Sequence, residues 1–130
     1  MCNTDNEKNK NFDHTKTSES KKIKKIATLN NKGVLLIVSK NLFGSAFPFK
    51  KEQILIGRGN HCDFVINDQS VSKEHCEIYI QNKKYYICDR ESKNSTYLNG
   101  KILKKPAQLL YGDRIVIGST IMRFFLEEKL

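Results

Sequence analysis

The chain reads as an all-β sandwich, and three observations carry that reading. Roughly ten short apolar or β-branched runs recur at intervals of about 8–12 residues, the rhythm of sandwich strands. Turn formers punctuate them, among them Asn67-Asp68-Gln69-Ser70, Gln81-Asn82-Lys83-Lys84, Tyr111-Gly112-Asp113 and Gly118-Ser119. No segment holds a helical period for three turns.

Taken in order, Gly33 to Ser39 is a β-branched run of strand length. Ala46-Phe47-Pro48-Phe49 predicts a short edge strand, because Pro48 has no N–H to give to a ladder. Gln53 to Ile56 follows and stops at Gly57, and Cys62 to Ile66 is the next apolar run. Cys76 to Ile80 alternates, placing Cys76, Ile78 and Ile80 on one face. The polar turn after Gln81 leads into Tyr85 to Cys88, a hairpin. Tyr97-Leu98, Ile102-Leu103, Gln108 to Leu110, Arg114 to Ile117 and Ile121 to Leu126 complete the set.

The chain has 130 residues, enough for one domain with a single core. Its first 25 residues hold seven lysines against four acids, with only Met1, Cys2, Phe12 and Ile23 as apolar content. Such a segment cannot bury enough surface to offset its ordering entropy, so residues 1–28 are expected to be a disordered basic tail and 29–130 the folded domain. Lys21-Lys22-Ile23-Lys24-Lys25 is similar to a nuclear-import patch and reads equally well as a solvated charge run.

The net charge of +9 divides into +3 for residues 1–25 and +6 for the remainder, sixteen basic against ten acidic side chains. A basic body points to an anionic partner, be it nucleic acid, phosphopeptide or acidic lipid. No run has the length of a membrane span and no apolar signal core opens the chain. The expectation is an intracellular protein, nuclear or cytoplasmic, with no membrane association and with its four cysteines reduced.

Three polar clusters each lie at the end of a strand-like run. They are Gly57-Arg58, Ser72-Lys73-Glu74-His75, and Ser92-Lys93-Asn94-Ser95-Thr96 running into Asn99-Gly100. In a sandwich the inter-strand loops gather at the two ends, so these clusters can meet. Their inventory suits a phosphorylated side chain, which carries nearly two negative charges and three acceptor oxygens. Arg58 offers a bidentate fork, Ser72 a hydroxyl, Lys73 or Lys93 a mobile charge, and Asn94 an amide. Singly, each has a plainer reading. Ser72 would be a turn residue, His75 a structural hydrogen-bonder, and Asn99-Gly100 a tight hairpin turn.

The order Gly57-Arg58, Ser72-x-x-His75, Asn99-Gly100 resembles the forkhead-associated (FHA) domain, and the resemblance runs through Cys62-Asp63, Asp68 and Thr96 over roughly residues 33–126. It implies an FHA-like β-sandwich of about eleven strands that binds phosphothreonine peptides. It further implies that Arg58 and Ser72 bind the phosphate, with Lys73 and Lys93 beside it and Asn94 on the peptide backbone. Gly57, His75, Thr96, Asn99 and Gly100 would support the loops. A niche for the threonine γ-methyl would favour phosphothreonine over phosphoserine. One departure is Ser95, where the family often has glycine. If that position needs positive φ, the serine is strained.

The function expected is therefore a phosphothreonine-binding adaptor that recruits phosphorylated partner proteins. It needs no cofactor, no metal and no catalytic residue. A monomer is expected, with self-association through a phosphorylated Thr4, Thr15, Thr17 or Thr28 left open. The alternative is a basic β-domain binding nucleic acid, for which Tyr79, Tyr85, Tyr86 and Tyr97 would be the stacking platform. A zinc site from His61-Cys62 and His75-Cys76 lacks the usual short ligand spacing. A Ser72-His75-Asp89 triad has no nucleophile elbow to present it.

Overall fold

A computed structural model describes residues 31–128, so the tail expected at 1–28 and the lysine patch at 21–25 lie outside the described residues. Eleven strands form two sheets. The six-stranded sheet has the order β2-β1-β11-β10-β7-β8, built from Ala46–Pro48, Asn31–Ile37, Thr120–Glu128, Arg114–Ile117, Thr96–Leu98 and Lys101–Ile102. The five-stranded sheet has the order β4-β3-β5-β6-β9, built from Phe64–Val65, Gln53–Gly57, Cys76–Gln81, Lys84–Asp89 and Ala107–Leu109. All pairings are antiparallel except β3 with β4.

Period-2 alternation turns one side of each strand inward. Leu35 and Ile37 of β1, Ile54 and Ile56 of β3, Ile115 and Ile117 of β10, and Met122 and Phe124 of β11 are all buried in one core. Phe49, Tyr85 and Phe124 meet within it at ring-centroid distances of 5.1–6.1 Å, in tilted and edge-on geometries. The Tyr85 hydroxyl finds a partner there, accepting from the Gly33 N–H at 2.9 Å. Pro48 does lie on an edge strand, β2.

Two expectations are corrected. The run Cys62 to Ile66 contributes only Phe64 and Val65 to a ladder. Cys62 instead closes a turn onto Gly59, and the Asp63 carboxylate accepts from the Leu55 N–H at 2.8 Å and from Lys51 Nζ at 2.7 Å. Local side-chain bonding of this kind competes with strand pairing. Among the cysteines, Cys62 and Cys76 are buried free thiols, whereas Cys88 is disulfide-bonded. Burial pushes both free thiols up, Cys76 far up, so neither is a reactive thiolate.

Strand β5 departs from simple alternation in an informative way. Cys76 and Ile78 face the core, yet Glu77 and Tyr79 on the outer side are also buried. The Glu77 carboxylate is held by the Gln53 amide and by Arg90 Nη1 at 3.1 Å, which satisfies a charge taken out of water. Tyr79 stacks on Tyr86 at 5.7 Å. The four tyrosines considered as a stacking platform are thus divided. Tyr79 and Tyr86 lie on one outer face, Tyr85 in the core, and Tyr97 on the other sheet.

The β5–β6 turn fixes the register of the hairpin. Gln81 pairs with Lys84, leaving Asn82 (φ 54°) and Lys83 (φ 65°) as a two-residue loop in the left-handed region. Such turns favour Asn-Gly, and a side chain at the second position is strained. Lys83→Gly is expected to stabilise the domain by about 1 kcal/mol, read from the midpoint of urea unfolding.

Candidate functional site

The site is built where β3, β5 and β7 begin or end. Gly57 closes β3 and lets Arg58 leave the sheet close to the β4–β5 loop. Only a glycine fits here. A Cβ at residue 57 would stand 2.3 Å from the Lys73 carbonyl oxygen, far inside contact distance. This close approach lets the Arg58 N–H donate to the Ser72 carbonyl at 2.9 Å and the Gly59 N–H to the Lys73 carbonyl at 3.1 Å.

Arg58 is then oriented. Its Nε donates to the Val71 carbonyl at 2.9 Å, and among the described residues neither terminal nitrogen has a partner. The guanidinium therefore presents its two Nη groups as an unoccupied fork. The adjacent Ser72 hydroxyl accepts from the Lys93 N–H at 2.9 Å, tying the β4–β5 loop to the β6–β7 loop. Asn94 makes a second tie, its Nδ2 donating to the Ser70 carbonyl at 2.9 Å. Lys73 and Lys93 are exposed beside these contacts.

His75 lies beneath, fully buried. Its Nδ1 accepts from the Ser72 N–H at 3.0 Å and its Nε2 donates to the Ser95 carbonyl at 2.8 Å. Those partners define the neutral tautomer with the proton on Nε2. Both ring nitrogens are consumed by backbone groups, so His75 is neither a base for Ser72 nor a metal ligand in this arrangement. Asp89, the third member of the conceivable triad, instead accepts from Ser92 N–H and Oγ and from Thr96 Oγ1 at 2.6–3.0 Å. It shapes the loop that carries Lys93 and Asn94. Likewise His61 pairs with Glu74 at 2.7 Å, and the Cys62 thiol donates to the Lys73 carbonyl.

Of the residues singled out in the sequence, Arg58, Ser72, Lys73, Lys93 and Asn94 come together at one end of the sandwich, with Gly57, His75 and Thr96 packed under them. Asn99 and Gly100 do not join them. They form the β7–β8 turn at the other end of β7, with φ of 51° and 85°, and Asn99 binds Asp113 and the Arg114 N–H. That turn sets strand register, and any effect on the loops passes through β7.

Sequence reading missed a further polar tie. Asp68 accepts from the Ser70 N–H and hydroxyl, the Ser119 N–H and the Thr120 hydroxyl, joining the β4–β5 loop to the β10–β11 turn. Burial alone would push this carboxyl up. The hydrogen bonds from Ser70, Thr120 and Ser119 outweigh it and hold Asp68 below its ordinary value. The only local signal was Asp68 two residues before Ser70, an Asx turn. Its partners are 51 and 52 residues away.

Ser95 adopts φ 67°, the left-handed region that glycine occupies without strain. The strain does not displace the loop, because the Ser95 carbonyl is held by His75 and Asn94 is held by Ser70. Ser95→Gly is expected to raise stability by about 1 kcal/mol with the loop geometry retained, measured by thermal and urea unfolding.

A family profile described as the FHA domain matches residues 54–118, half of the chain. The human proliferation marker protein Ki-67 is 36% identical over 81 residues, taking in 62% of this chain but 2% of that protein, so this chain spans only a small part of its relative's length. Among solved structures, the FHA domain of FhaA, complexed with the intracellular domain of Rv3910, superposes with a TM-score of 0.64 at 26% identity. The match covers 71% of this chain and 98% of that one. Another FHA structure, described for its phosphothreonine-dependent interactions, gives a TM-score of 0.68 at 24% identity over 75% of this chain and 99% of that one. With the sequence match running from β3 to the end of β10 and the same two-sheet fold in both structures, the chain belongs to the FHA domain family.

Proposed function

We propose that this chain is a phosphothreonine-peptide-binding adaptor whose site is Arg58, Ser72, Lys73, Lys93 and Asn94. The observation that carries the reading is the open Arg58 fork, fixed through Nε and set beside the Ser72 hydroxyl. Fixing a guanidinium before the ligand arrives reduces the ordering entropy lost on binding. A phosphate seated there would accept two N–H bonds from Arg58 and one O–H bond from Ser72, with Lys73 and Lys93 supplying further charge. The FHA structure described for phosphothreonine-dependent interactions supports that ligand class, and the FhaA domain complexed with the intracellular domain of Rv3910 supports a protein partner.

FHA domains are interaction modules rather than enzymes. We extend that to this chain: Ser72 and His75 serve recognition and bracing, and no bond is made or broken. Among the described residues no helix is long and apolar enough to cross a membrane. The partner is read as a phosphorylated protein.

Each charge-assisted hydrogen bond contributes about 1.5–3 kcal/mol, so two or three dominate a short peptide's affinity. Arg58→Ala is expected to weaken phosphothreonine-peptide binding at least about a hundredfold, and Ser72→Ala about tenfold, by calorimetry with phosphoserine and unmodified peptides as controls. Unchanged affinity in Arg58→Ala would remove the assignment. Binding should also fall as the phosphate gains its second proton near about pH 6. The dianion is the tighter ligand, so affinity is full at higher pH and declines below that point. A titration series from about pH 5 to 7.5 that stays flat would contradict dianion recognition.

A further inference from the structure

An antiparallel sheet with one face in water ordinarily turns polar residues outward. The six-stranded sheet does not. Its register sets Ile102, Tyr97, Val116 and Ile121 directly opposite one another on the outer face, in a row crossing β8, β7, β10 and β11. Ile102 is 43% and Tyr97 37% exposed, while Val116 and Ile121 are half-buried.

The neighbouring row places Arg114 directly opposite Arg123. Like charges in that position destabilise a sheet unless something offsets them. Among the described residues neither arginine has an ion pair, and Arg123 gives a single Nη1 bond to the Gly112 carbonyl. The nearby Asp113 carboxylate is engaged by the Asn99 amide and the Leu110 N–H. Among the described residues the face therefore combines a partly exposed apolar row with two cations lacking a counter-ion.

We propose that this face docks an acidic amphipathic helix of a partner protein, with apolar side chains on the row and carboxylates on Arg114 and Arg123. Charge selects the occupant. A second copy would bring four guanidiniums into one interface, with no carboxylate in either row to meet them. The chain's own first 25 residues carry +3, the wrong sign. Geometry selects the helix. The backbones of β7, β10 and β11 are already paired on both sides, so strand addition is closed to them and side-chain packing remains. The row spans about 14 Å at the usual strand spacing, which about ten helical residues cover. This surface is separate from the Arg58 loops and does not rest on the phosphopeptide reading.

The test uses the full chain, isotopically labelled, and two synthetic amphipathic helical peptides with the same apolar stripe, one flanked by glutamates and its twin by lysines. The glutamate peptide is expected to shift the amides of Tyr97, Ile102, Val116 and Ile121 saturably, and the lysine peptide is not. Combining Arg114→Glu with Arg123→Glu should reverse that preference, and Tyr97→Lys should weaken glutamate-peptide binding at least tenfold. Ile102→Lys, on an edge strand, serves if Tyr97→Lys fails to fold. Phosphopeptide affinity should stay unchanged in all these variants. No saturable shift with the glutamate peptide, equal response to both peptides, or shifts confined to the Arg58 and Ser72 loops would overturn the proposal. So would concentration-dependent self-association that Tyr97→Lys abolishes.

Discussion

The loops at the binding end depend on one buried imidazole. His75 joins the backbone of the β4–β5 loop at Ser72 to that of the β6–β7 loop at Ser95, and it can do so only as the Nε2–H tautomer. Both partners are backbone groups that would otherwise be left unsatisfied in a partly buried place, a loss of about 1–3 kcal/mol each. Everything above the ring follows from this clamp. The Ser72 hydroxyl meets the Lys93 N–H, the Asn94 amide meets Ser70, and the Arg58 guanidinium is steered by the Val71 carbonyl.

Around that clamp the protein concentrates its irregular backbone at points that are held from several sides. Ser95 keeps a left-handed conformation because its carbonyl is fixed, and Gly57 permits an approach that any side chain would block. Asp89 and Asp68 each gather hydroxyl and N–H donors from their own loop and from elsewhere. Such multiply satisfied carboxylates make loops behave as extensions of the sheets. A rigid rim suits recognition, where preorganisation lowers the entropy of binding, and it leaves His75 with no free nitrogen for proton transfer.

The two sheets treat their outer faces differently, and composition alone conceals this. The outer side of β5 buries Glu77 and Tyr79 beneath Gln53, Arg90 and Tyr86 contacts, a polar surface satisfied internally. The outer side of β7, β8, β10 and β11 carries an apolar row and an arginine couple with no ion pair among the described residues. Short stretches such as Arg114 to Ile117 read simply as strands; which of their residues meet across the ladder decides whether the surface is ordinary or adhesive.

The all-β class, most strand positions, the hairpin turns and the residue types able to hold a phosphate were legible in the sequence. These follow from local periodicity and turn chemistry, which act over a few residues. The sequence also placed Arg58, Ser72 and Asn94 at strand ends. That they meet, that Asn99-Gly100 lies at the other end of β7, and that Phe64-Val65 alone of its run joins a ladder emerge from the folded arrangement. Asp68 acquired its role the same way, through partners more than fifty residues distant. Register and loop convergence arise from pairings between remote strands and from side chains that bond across them, and no window of neighbouring residues contains both partners.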